Sequence, residues 1–263
     1  MVHSLIEHVS RPDFDLDEVR RLIESDPALA ARIMRVANSA AYRAHGPCAS
    51  VAQAIVRIGA TNVSGLAMAM SAMTLFKDLG GLGQKIRDHS AGTAAVAREL
   101  ATCLSLAELS SKVFLAGLLH DLGKLLIIQS GDVAYATMLA QEPSPSSSHL
   151  REQALWGFDH GMLGAQVLRS WNIPEPIPQL VACHHHPKGG QGGASALAQA
   201  LDLLRLADVV DWLLGQGCAA DSRWVQRLSE SPDGVRVGLG KDTLPLLWSE
   251  LRTIREEALL VFK

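Results

Sequence analysis

Several absences bound what this 263-residue chain does. No apolar stretch runs uninterrupted for the roughly 18 residues needed to cross a bilayer. The opening residues, Met1 to His8, carry neither a basic segment nor a long apolar one of the secretory kind. A soluble, cytoplasmic protein with no membrane partner is therefore expected. There is no long Lys/Arg run, and 24 basic against 27 acidic residues leave a formal net charge of −3, so nucleic acid is not an expected partner. Cys48, Cys103, Cys183 and Cys218 form no Cys-x-x-Cys pair and sit in largely apolar surroundings; they read as reduced, buried thiols. No strand pattern of any length appears, and the expected class is all-α.

What is there is apolar residue at helical spacing. At 48% apolar content the chain can build a sizeable core, as one large domain or two smaller ones. After the acidic stretch Asp13 to Glu18, the positions Val19, Leu22, Ile23, Leu29, Ala30, Ile33, Met34 and Ala37 step by three and four. Asp26-Pro27 divides them as an N-cap followed by proline at the first helical position, so two short helices meet there. Asn38-Ser39 and Tyr42 can stop and anchor the second of them. Ser50 then caps a short amphipathic helix that ends at Gly59. A helix from Asn62 to Phe76 follows, its methionines at core spacing, and this first helical layer closes near Lys77 to Gly81.

The second half opens with a helix from Asp88 to Cys103 that carries His89 near its first turn. The stretch Phe114-Leu115-Ala116-Gly117-Leu118-Leu119-His120-Asp121-Leu122-Gly123-Lys124-Leu125-Leu126 is the pivot of the chain. Burying a charged carboxylate in such a run is costly without a cation or hydrogen-bond donors beside it. Imidazole with carboxylate suits Fe, Mn, Zn or Mg, and one helix supplies only part of a coordination shell. Candidates for the rest are His89, His160, His184, His185 and Asp208, each in or beside a stretch that reads as helix.

Glu142 to Ser148 reads as a loop on its Pro and Ser content. The segment from Glu152 through His160 continues to Trp171 and Pro174, and the glycines at 161 and 164 would let another helix come close to His160. Pro174, Pro176 and Pro178 start a helix that runs into His184-His185-His186. Successive helical residues point about 100° apart, so at most two of the three face one centre. Lys188 to Gly193 is a flexible loop that lacks the spacing of a phosphate cradle. A long helix from Ala194 to Leu214 carries Asp208 and Asp211. Two or three further helices, joined by a loop from Ser229 to Asp242, complete the chain.

Three segments in order, Asp26-Pro27-Ala28-Leu29, Asn38-Ser39-Ala40-Ala41-Tyr42 and Ala54-Ile55-Val56-Arg57-Ile58-Gly59, resemble the N-terminal signature of the HD-related output domain (HDOD), a bacterial signalling module related to HD phosphohydrolases. The resemblance covers nearly the whole chain. It implies an N-terminal helical subdomain over 1–82 and an HD-like helical bundle over 83–263. His89, His120-Asp121 and Asp208 stand in the order of the four-ligand HD motif, and His160, His184 and His185 match the extra histidines of the two-metal HD-GYP branch; by that pattern His186 faces solvent.

In a two-metal centre, with ions roughly 3.5–4 Å apart, Asp121 would bridge and Lys124 would hold a phosphate as a point charge. Asp121 and Lys124 are thus the catalytic candidates if the chain is an enzyme. Two departures set it apart from the cyclic-di-GMP phosphodiesterases. His186-Pro187-Lys188-Gly189-Gly190 replaces their Asp-Gly-x-Gly-Tyr-Pro signature, and Lys85 stands where they have a carboxylate ligand.

The resemblance implies a non-catalytic output module that binds signalling proteins in trans, with one or two divalent ions as cofactor and a nucleotide as a candidate ligand. The alternative is a metal-dependent phosphohydrolase acting on a nucleotide or phosphodiester. A single histidine of this kind is by default a core residue satisfied by hydrogen bonds; seven groups in one family's order argue for a metal.

Overall fold

The structure is a computed structural model and describes residues 15–39, 42, 46–76, 79–141, 147–186 and 195–262. Every regular element among them is a helix. Among the described residues four helices form the N-terminal layer: α1 (Leu16–Glu24), α2 (Pro27–Asn38), α3 (Val51–Ile58) and α4 (Ala60–Leu75). The caps lie where the sequence puts them. Asp26 accepts from the backbone N–H groups of Ala28 and Leu29 with Pro27 at the first position, and Ser50 accepts from Gln53. Gly59, at φ +89°, closes α3 in a conformation that a side chain would strain.

Asn38 and Ser39 do stop α2. The Asn38 amide donates to Met34 O and Cys48 O and accepts from Cys48 N, which ties the helix end to the next segment. Tyr42 is anchored under the Arg98 guanidinium, 3.2 Å from its ring centroid. Met70 is buried as core filler, whereas the side chains of Met68 and Met73 lie outside the described residues, as do Lys77, Asp78 and residues 142–146 and 187–194.

The rest of the molecule is built around α5 (Gly80–Cys103), against which pack α6 (Ser110–Leu119), α12 (Ala196–Gly215) and the C-terminal α15 (Thr243–Phe262). Between them come α7 (Leu122–Gln129), α8 (Val133–Ala140), α9 (Ser148–Trp156), α10 (His160–Ser170) and α11 (Ile177–Cys183), followed after α12 by α13 (Arg223–Glu230) and α14 (Pro232–Arg236). One apolar cluster runs from Val19 to Val261. Among the described residues no helix is long and apolar enough to cross a membrane.

Several boundaries differ from the sequence reading. α5 begins at Gly80, so His89 sits well inside the helix rather than near its first turn. Ser148 is helical rather than loop, and the stretch from Glu152 onward is two helices parted at 157–159, where Gly157 takes φ +75°. The 229–242 connection holds α14, capped by Ser231 with Pro232 at its first position. The four thiols are free, but only Cys48 is buried; Cys183 and Cys218 are half-buried, and Cys103, in the last turn of α5, is exposed.

Candidate metal centre

Five helix ends and interiors bring the seven ligand candidates together. The pivot stretch breaks at His120-Asp121, between α6 and α7. Only a protonated ring nitrogen can bond a carbonyl, so His120 Nδ1 donates to Gly117 O at 2.8 Å and leaves Nε2 as a lone pair. His160 opens α10, where the Asp159 side chain caps Met162 N and the otherwise orphaned His160 N–H donates to Glu152 Oε2 at 2.7 Å. His160 Nδ1 lies 2.6 Å from the same oxygen. His184 closes α11; its Nδ1 donates to Val181 O at 2.6 Å, again baring Nε2. Arg205, from α12, donates to the carbonyls of Cys183 and His184 at 3.0 Å, satisfying the end of α11 on the side where a cation is favoured.

The close approach expected beside His160 is present on both faces. A Cβ at Gly161 would lie 2.7 Å from Val181 O of α11, and one at Gly164 would lie 3.3 Å from Gly123 N of α7. Gly123 matters in return: a Cβ there would overlap the His160 carbonyl oxygen.

The bared nitrogens converge. His160 Nε2 lies 3.1 Å from His185 Nε2 and 3.3 Å from His184 Nε2. His89 Nε2 lies 2.9 Å from Asp208 Oδ1, and His120 Nε2 lies 3.9 Å from that oxygen. Asp121 Oδ1 sits between the two groups, 3.3 Å from His160 Nε2 and 3.5 Å from His120 Nε2. Three sets, His160/His184/His185, His89/His120/Asp208 and His120/Asp121/His184, each offer ligand atoms within 4.8 Å of one another. His186 stands apart, partly exposed, with Nε2 2.7 Å from Asp159 Oδ2.

These residues fit a divalent ion. His120 Nε2 is buried without a hydrogen-bond partner, which is costly for a group of this polarity, and the Asp121 Oδ1 beside it faces Lys124 Nζ at 2.9 Å. Two nitrogens at about 2.1 Å from one ion stand about 3.0–3.4 Å apart in octahedral or tetrahedral geometry, the spacing found here. The Nδ1 contacts to carbonyls and Glu152 are those that orient metal-bound imidazoles.

Electrostatics sort the imidazoles. Burial, and the neighbouring imidazoles, push His184 and His185 well below the usual histidine pKa, so both are neutral donors. Burial also lowers His120, although Asp121 and Asp208 oppose it. His89 goes the other way: burial would lower its pKa, but bonds to Asp208 and Asp211 overcome it and raise it to about 10. In the metal-free protein a proton therefore holds the Nε2 position of His89. Burial would raise Asp121, yet His120 and Lys124 hold it well below the carboxylate range. Lys124 is buried, with Nζ 2.9 and 3.0 Å from the two Asp121 oxygens.

A cleft of about 390 Å³ runs to the cluster and is lined by His89, Asp121 and Lys124, with Lys85, Trp212 and Arg255 also on its walls. Sequence reasoning missed Glu152, Arg205 and Arg255. Glu152 and His160 are eight residues apart on different helices, so no spacing rule links them. Asp208 and Asp211 are three apart, a spacing that puts both on one face of α12.

Comparison with known proteins agrees with this architecture. The chain aligns over its whole length with the structure of a presumed phosphohydrolase from Shewanella amazonensis, at 22% identity, covering 93% of that chain with a TM-score of 0.76. An HDOD domain protein of unknown function from Geobacter sulfurreducens matches 98% of this chain and 90% of its own, at 23% identity and a TM-score of 0.72. At these identities the likeness is one of fold. A curated relative, an uncharacterised protein of Treponema pallidum (strain Nichols), is 24% identical over 183 residues; the match takes in 68% of this chain and only 35% of that protein. The HDOD domain matches residues 1–187, nearly three quarters of the chain, which therefore belongs to the HDOD domain family.

Proposed function

We propose that this chain is a cytoplasmic signalling output module that acts through protein partners in trans and holds one or two divalent ions among His89, His120, Asp121, His160, His184, His185 and Asp208. In this reading the layer over 1–82 and the bundle over 83–263 work as one unit, and Asp121 bridges the two ligand groups. The observation that carries the metal is the buried, unpartnered His120 Nε2 beside the Asp121 carboxylate, amid three converging imidazole nitrogens. Family membership supports the signalling role, as does fold likeness to a presumed signal transduction protein from Marinobacter aquaeolei, of which the match spans 58%. The free thiols suit a reducing compartment.

A second reading, metal-dependent phosphohydrolase, is favoured by the cleft that opens onto the cluster. A bound ion would supply Lewis-acid polarisation of a phosphoryl oxygen. Lys124 would exchange its Asp121 partner for the phosphate, and Lys85 and Arg255 would add positive charge at the walls.

The experiment is elemental analysis of protein purified without a metal-affinity tag, beside Asp121→Ala, followed by assay on bis(p-nitrophenyl) phosphate and nucleotides. Bound Fe, Mn or Zn that is lost in the variant, with no turnover in added Mn²⁺ or Mg²⁺, is the expected outcome. Turnover that disappears with Asp121→Ala replaces the output module by the phosphohydrolase. Protein that carries no ion and takes none up removes the metal from both.

A further inference from the structure

His89 meets a carboxylate at each ring nitrogen. Asp208 Oδ1 lies 2.9 Å from Nε2, on the side of the ligand cluster, and Asp211 Oδ2 lies 2.7 Å from Nδ1. Asp211 is itself fixed: its other oxygen accepts from Arg255 Nε at 2.8 Å, and its side chain is 1% exposed.

The surroundings show that this contact is built. Gly92 follows His89 by three residues on α5, and a Cβ there would fall inside the Asp211 carboxylate and 3.2 Å from Arg255 Cγ. Gly215, four residues after Asp211 on α12, lies under the same guanidinium, with a Cβ position 3.0 Å from its terminal nitrogen. Arg255 thus reaches from α15 over two side-chain-free positions to grip one carboxylate. Asp211 and Arg255 both lie beyond the residues matched to the family.

We propose that Asp211, held by Arg255 in the gap left by Gly92, is a positioning residue for the metal centre. It accepts the Nδ1 proton of His89, which fixes the ring so that Nε2 is the nitrogen presented toward Asp208, His120 and an ion bound between them. In this way it sets the ion affinity of the His89/His120/Asp208 group. The inference rests on the metal reading given above, and adds which residues outside the ligand set tune it.

The test is Mn²⁺ titration of the EDTA-stripped full chain, with free Mn²⁺ followed by electron paramagnetic resonance. Asp211→Asn should weaken binding about 10–100-fold, the range for lost supporting partners of metal-bound histidines. Gly92→Ala keeps every charged group but crowds Asp211, and should weaken it in the same direction, which carries the test should Asp211→Asn fail to fold. Asp26→Ala is the control. It removes the N-terminal cap of α2, in the N-terminal layer, and should lower the melting temperature while leaving Mn²⁺ affinity unchanged. In the Zn²⁺-loaded protein, the downfield Nδ1 proton of His89 should be visible by NMR in the wild type and displaced in Asp211→Asn. Variant isotherms that overlay the wild type overturn the inference and leave the metal centre standing, as does an equal loss of affinity in Asp26→Ala. A wild-type protein that takes up neither Mn²⁺, Zn²⁺ nor Fe²⁺ overturns both.

Discussion

Glu152 shows how much of the site's order rests on residues that touch no ligand position. Its carboxylate is fully buried and accepts three hydrogen bonds, from Tyr135 Oη at 2.8 Å, from the His160 backbone N–H at 2.7 Å and from His160 Nδ1 at 2.6 Å. Burial would raise its pKa, but the His160 bonds outweigh that and lower it, so the group is charged at neutral pH. Removing an acceptor of this kind leaves buried donors unsatisfied, at about 1–3 kcal/mol each. Glu152→Ala should therefore cost about 3 kcal/mol in urea unfolding of the metal-free protein, against about 1 kcal/mol for Tyr135→Phe, which deletes one neutral donor and strands nothing charged. The variant should also retain less metal, because His160 loses the contact that keeps Nε2 bare. Equal costs for the two substitutions would mean that Glu152 is solvated in solution and does not orient His160.

Helix packing at the site depends on how closely α7 and α10 approach, and that distance is set by Gly123 against the backbone of His160. A backbone atom cannot swing aside as a side-chain tip can. Gly123→Ala should therefore force the two helices apart and cost about 3 kcal/mol, the upper end for overpacking. Gly81 is the matched control. It is helical in α5 with nothing near a Cβ position, so Gly81→Ala should be neutral or up to about 1 kcal/mol stabilising by helix propensity. A pair of thermal melts checks both, and a Gly123→Ala protein that melts with the wild type would refute the close approach. The same elements show what sequence makes legible. Asp26-Pro27 and Ser50 announce helix starts because capping is local chemistry, and the 161/164 glycines announce a close approach because two small residues on one face leave a groove. α5 begins eight residues before its expected start, because Gly80-Gly81-Leu82-Gly83 reads locally as a breaker and tertiary packing overrides propensity. The break at His120-Asp121 is hidden inside a continuous apolar run. The ligand candidates could be read from the order of a family motif, whereas Glu152 and Arg255 could not, since their partners are joined to them only through the fold.

Across the whole molecule, α15 joins what the sequence divides. Near its start Trp248 Nε1 donates to Cys218 O, midway Arg255 grips Asp211, and at its end Leu260 O accepts from Arg35 of α2 in the N-terminal layer. The apolar cluster from Val19 to Val261 draws residues from both parts. Two layers that share a core and a helix should unfold together, and the chain carries a natural way to ask. All five tryptophans lie at or beyond Trp156, so their fluorescence reports the C-terminal part alone, while circular dichroism reports every helix. The two melts should coincide, as two-state behaviour requires. Mn²⁺ at about 100 times its dissociation constant should move both by the same amount, since binding to the folded state alone adds about 2.7 kcal/mol, or roughly 5–10 °C for a chain of this size. Asp121→Ala should abolish that shift. An early loss of helix that the tryptophans do not see, unmoved by Mn²⁺, would mean that the N-terminal layer is an independent unit. The ion's binding energy would then stop at α5, and no change at the metal centre could reach a partner held by α1 to α4.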